Sequence, residues 1–91
     1  MSDLETQREI INKIDAQIID LIAERQSAVQ GVIAAKKQTG QAALQPARWE
    51  QVVTRVRQKA AEKGIDPDLV EAIWNELHEY FLKLEEKELS E

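Results

Sequence analysis

Residues 4–37 read LETQREIINKIDAQIIDLIAERQSAVQGVIAAKK, and the spacing inside this stretch decides the fold. Ile11, Ile14, Ile18, Leu21, Ala28, Val32 and Ala35 recur at alternating intervals of three and four, which brings them to one stripe of a single helix. Arg25 occupies the slot of that stripe between Leu21 and Ala28. A guanidinium stays charged at any ordinary pH, so a place in an apolar seam requires an anion or several acceptors to offset its desolvation. A bound ligand is one source of that anion. A pair with a glutamate, or a side chain that snorkels to water, is the structural alternative.

Signals on either side bound this helix. Ser2 or Asp3 is its expected N-cap, with Asp3 and Glu5 at the positive end of its dipole and Lys36 and Lys37 at the negative end. Thr39-Gly40 stops it, because glycine tolerates the left-handed conformation past a helix end. At 1.5 Å per residue the helix is on the order of 50 Å long, too long for a compact globule of this chain length.

Gln41 to Gln45 reads as a loop and Pro46 as the first turn of a second helix, which carries Trp49, Val52, Val53, Val56 and Ala60 on one face and ends at Gly64. A third helix starts at Asp66 as N-cap and Pro67 at the first helical position, with Ile65 placed to staple onto Val70. Val70, Ile73, Leu77, Tyr80 and Leu84 give its expected apolar stripe, widened by Trp74 and Phe81. The pattern fades among Glu85, Glu86, Lys87 and Glu88, so the last residues are expected to fray. No run alternates with period two. The fold class is therefore all-α, a three-helix chain of one long and two shorter helices.

A single copy leaves the long helix with an uncovered apolar flank, and a 91-residue domain buries a limited core of its own. A twofold homodimer, with long helices paired and shorter ones around them, buries the seam without further sequence. The chain is read as one domain, residues 1–91. It has no cysteine and one histidine, His78, read as an exposed or half-buried helix residue, so neither a thiolate nucleophile nor a metal site is expected. The net charge of -5 argues against nucleic acid as a partner. No segment has the length and apolarity of a membrane span or a signal peptide, and a cytoplasmic protein is expected.

An anionic ligand must then meet a local cluster of cations. Arg25 and Lys36 are eleven residues apart and return to nearly the same face, roughly 16 Å along the axis, so two long side chains can bracket a small dianion. Arg8 lies a further 26 Å away, roughly, and reaches that ligand only across a dimer. Solvated surface charge is the plain alternative for Arg8 and Lys36.

Arg8 with Ile11, Ile14-Asp15, Leu21-Ile22-Ala23-Glu24-Arg25, Lys36, Arg48 and Gly64-Ile65-Asp66-Pro67 resemble the all-helical AroQ-type chorismate mutase family over essentially the whole chain. The resemblance implies an intertwined three-helix dimer that converts chorismate to prephenate by a Claisen rearrangement, with no cofactor. It also implies that Arg25 and Arg8 of the partner subunit bind the two carboxylates. Lys36 would hydrogen-bond the ether oxygen as its bond to the ring breaks, and Arg48 would line the pocket. Trp49, a lid or core contact, and Phe81 complete the expected substrate contacts. A pericyclic reaction needs no proton abstraction and no nucleophile; it needs a compact conformer held in place and charge stabilised on the ether oxygen.

Three departures from the family pattern bear on this expectation. Family mutases usually follow the arginine of the second helix with a glutamate for the substrate's C4 hydroxyl, whereas Arg48 is followed here by Trp49, and Glu50 comes one residue late. A near-neighbour on the same fold, isochorismate-pyruvate lyase, has no need of that glutamate. Its loop and its aromatic third helix are similar to Ala42-Ala43-Leu44-Gln45-Pro46-Ala47-Arg48 and to Tyr80-Phe81. Glu85 stands where these families usually have a glutamine that donates to the ether oxygen. A carboxylate donates only when protonated, so turnover is expected to be greatest on the acidic side. The alternative is that Glu85 begins the solvated tail. Mutase, lyase and a noncatalytic helical dimerisation module are the three readings carried forward.

Overall fold

A computed structural model describes residues 3–90. It contains three helices, α1 (Asp3–Thr39), α2 (Pro46–Glu62) and α3 (Pro67–Ser90), and no strand among the described residues. Asp3 is the first helical residue rather than the cap, with Asp3 and Glu5 in the acidic first turn; Ser2 lies outside the described residues.

The ends of α1 and α2 follow from two glycines. Gly40 (φ 71°) and Gly64 (φ 73°) adopt the left-handed conformation, and each lets the chain turn back on the helix just completed. After α1 the Gln41 amide donates to the Lys36 carbonyl at 3.1 Å. After α2 the Ile65 amide reaches the Ala60 carbonyl at 2.9 Å and the Gly64 amide the Ala61 carbonyl at 3.2 Å. These are the paired bonds of a Schellman ending. The start of α3 is as local: the Asp66 carboxylate accepts the Asp68 amide at 2.9 Å, with Pro67 in the first turn.

The chain divides into two units, one up to Val32 and one from Ile33. In the first, α1 leaves its apolar stripe open within one chain: Ile11 is 55% exposed and Leu21 61%, with Ile14, Ile18 and Val32 exposed to a slightly smaller extent. The expected seam is present in register and uncovered.

The second unit holds the end of α1, the loop, α2 and α3. Its core is Ile33, Ala60 and Phe81. The expected face of α2 is the one that packs: Trp49, Val52, Val53 and Val56 are half-buried beside buried Ala60. On α3 the inward face is rotated from the expected stripe. Tyr80 is 65% exposed and Ile73 is also exposed, while Val70, Trp74, Leu77, Phe81 and Leu84 turn inward. With 3.6 residues per turn either choice of threes and fours is helical, and contact with α2 selects the one through Trp74 and Phe81. Arg57 of α2 adds a clamp, donating to Asp68 at 2.9 Å and Glu71 at 2.8 Å. These hydrogen bonds, to Asp68 first and Glu71 next, raise its pKa above the ordinary guanidinium value.

The expected fraying of the tail is not what the structure has. α3 continues to Ser90, with Glu88 and Leu89 half-buried and the Ser90 hydroxyl donating to the Lys87 carbonyl at 2.9 Å.

Candidate active site

The Schellman turn at Gly40 places Lys36 one turn before the end of α1, where the loop folds back past it. Its ammonium donates to the Ala43 carbonyl at 2.7 Å, so the loop backbone fixes the side chain. It also lies 3.4 Å from Oε1 of Glu85, with only 13% and 12% of the two side chains exposed. An ammonium has three donors, and these two partners account for two of them. One N–H is left for a ligand. Glu85 is therefore not part of a solvated tail: α3 carries it to the lysine that sequence reasoning singled out, 49 residues away. Lys36 also borders a pocket of about 350 Å³ lined by Lys37, Gly40, Gln41 and Leu89.

The start of α2 supplies the next residues. Arg48 is exposed and Trp49 half-buried in its first turn. Trp49, expected as a lid or core contact, stacks on His78 of α3, ring centroids 3.8 Å apart and planes 13° from parallel. His78 is half-buried, as the sequence reading had it, but a lone histidine on a helix face carries no signal of the ring it stacks on. Phe81 is 6% exposed and belongs to the core, its ring edge-on to Tyr80 at 5.1 Å, which leaves it little surface within one chain for a ligand. His78, Phe81 and Glu85 occupy one face of α3 at intervals of three and four.

Arg8 and Arg25 belong to the first unit, Arg8 exposed and Arg25 half-buried. The structure thus brings together Lys36 and Glu85, with Trp49 and Phe81 in the same unit. A second hollow in this unit, about 470 Å³, is almost wholly apolar, lined by Val56, Ala60, Ile65, Val70 and Trp74 with Arg55, Lys59 and Lys63. Ile65 and Val70, the expected staple pair, both line it. Among the described residues no helix is long and apolar enough to cross a membrane.

The chain is similar to a chorismate mutase of Methanocaldococcus jannaschii, 32% identical over 84 residues that cover 92% of this chain and 85% of that protein. Residues 7–86 match the family described as chorismate mutase type II, a span that takes in Arg8, the Lys36–Glu85 pair and the start of α2. On its three helices, on that match and on that relative, the chain belongs to the chorismate mutase type II family.

Proposed function

We propose that the protein, acting as a single domain over residues 1–91, is a chorismate mutase that rearranges chorismate to prephenate. The observation that carries this reading is the mostly buried Lys36 ammonium, aimed by the Ala43 carbonyl and the Glu85 carboxylate and left with one donor. In the rearrangement the ether C–O bond breaks as a C–C bond forms, and negative charge grows on the departing oxygen. A donor held in place before the reaction stabilises that charge without reorganising at the moment of bond breaking. Lys36 is that donor. Glu85, when protonated, donates to the same oxygen from beside the lysine.

Arg25 and Arg8 of the partner subunit bind the two carboxylates, and Arg48 closes the cationic wall from α2. Trp49 shapes that wall, with Phe81 supporting it from the core. No step requires a metal or cofactor. The dimer this needs is supported by the open apolar stripe of α1, which a second copy would cover. The acidic net charge disfavours nucleic acid as a partner, and the expected compartment is the cytoplasm.

A second reading, isochorismate-pyruvate lyase giving salicylate and pyruvate, is favoured by one observation. The residue after Arg48 presents an indole, stacked on His78, where a mutase would present a carboxylate to the C4 hydroxyl. A noncatalytic dimerisation module is the reading outside enzymology. Incubation of the purified protein with chorismate and, separately, with isochorismate, followed by assay of prephenate, pyruvate and salicylate, decides among them. Prephenate from chorismate is the expected result, and no product from either substrate overturns both enzyme readings.

A further inference from the structure

We propose that His78 is a positioning residue: stacked on Trp49, its imidazole holds the first turn of α2 against α3 and thereby fixes Arg48 and the loop that aims Lys36. This rests on the reading of Lys36 and Arg48 as site residues. The first turn of α2 needs such a hold because it lacks the usual one. Its N-cap, Gln45, makes no side-chain cap, its amide donating instead to the Ala42 carbonyl at 2.9 Å, and there is no acidic residue in the first turn to meet the helix dipole. Trp49 is the first large apolar residue of the helix, and its own amide makes the opening bond, to the Gln45 carbonyl at 3.0 Å. Close aromatic stacking is comparable in size to a missing capping bond, so the stack on His78 compensates for the absent cap.

The contacts form a closed circuit. Lys36 donates to Ala43, the loop runs on to Gln45 and Trp49, Trp49 stacks on His78, and two turns further along the same face of α3 Glu85 returns to Lys36. Loosening one link loosens the others. If the first turn of α2 frays, Arg48 and the Ala43 carbonyl lose their places, and a donor misplaced by about an ångström costs far more in rate than in folding.

The test compares His78→Ala, His78→Phe and the double variant His78→Ala/Gln45→Asp, which supplies the missing cap without an aromatic ring. Amide hydrogen exchange at residues 49–51, whose amides make the opening bonds of α2, reads the positioning directly, and prephenate formation reads its consequence. For His78→Ala we expect exchange there to accelerate and kcat to fall, each about tenfold, with the melting temperature and exchange in mid-α2 nearly unchanged. His78→Phe restores both to within about threefold, and the Asp cap restores the protection and part of the rate. Unchanged exchange in His78→Ala overturns the proposal, as does faster exchange with an unchanged rate. A rate lost in His78→Phe while residues 49–51 stay protected also overturns it, since the imidazole would then act on the substrate itself. A wild-type protein inactive on both substrates fails the enzyme reading alone, because exchange still reports on the stack.

Discussion

The Lys36 ammonium and the Glu85 carboxylate meet at 3.4 Å with most of both side chains out of solvent, so the charge state of one sets what the other can do. A glutamine amide donates to an ether oxygen, which a carboxylate cannot do. Glu85→Gln is therefore expected to raise prephenate formation near neutrality. Turnover of the two proteins under the same conditions checks this. An unchanged rate would take Glu85 away from the ether oxygen.

If the pocket is shared between subunits, Arg8→Ala and Arg25→Ala should each be inactive as homodimers. Mixing them should restore some activity, because one of the two pockets in the heterodimer then has both wild-type arginines. No recovery after confirmed subunit exchange counts against a site that borrows Arg8 of the partner subunit.

The open stripe of α1 predicts a dimer at micromolar concentration by sedimentation. Covering a side chain such as Ile14 or Leu21 contributes about 1.5–3 kcal/mol. Carboxylates at these positions, Ile14→Asp with Leu21→Asp, should weaken the dimer by more than about a hundredfold. A sharp monomer boundary for the wild type would refute the expectation.

Gly64 ends α2 at φ 73°, and a Cβ there meets nothing within 4 Å, so Gly64→Ala tests backbone strain without a clash. An expected loss of about 1 kcal/mol follows from the left-handed conformation alone. Denaturant titration measures it, and chorismate turnover at low temperature should be unaffected.

Arg57→Ala breaks the bonds to Asp68 and Glu71 that link α2 to the start of α3. The pairs are open to water, so the melting temperature should drop modestly, and the difference from wild type should shrink at about 1 M salt. An equal difference at low and high salt would assign the loss to packing of the arginine stem instead.

Local chemistry made much of the fold legible without coordinates. Proline at the start of α2, Asp66-Pro67 at the start of α3 and glycines past the ends of α1 and α2 act through bonds spanning a few residues, so sequence proximity suffices to read them. Lys36 was legible as a candidate site residue by its helical phase with Arg25 and by resemblance to the family. The face that α3 turns inward was decided by the surface of α2 it meets, because helical periodicity alone admits both Tyr80 and Phe81. Glu85 was legible through the family resemblance alone: charge pattern by itself reads as a solvated tail, and tertiary structure sets the carboxylate beside Lys36. The Trp49–His78 stack and the Ala43 carbonyl under Lys36 belong to the same class: each joins groups whose neighbours are set by the fold rather than by sequence spacing, and a backbone carbonyl has no letter in the sequence.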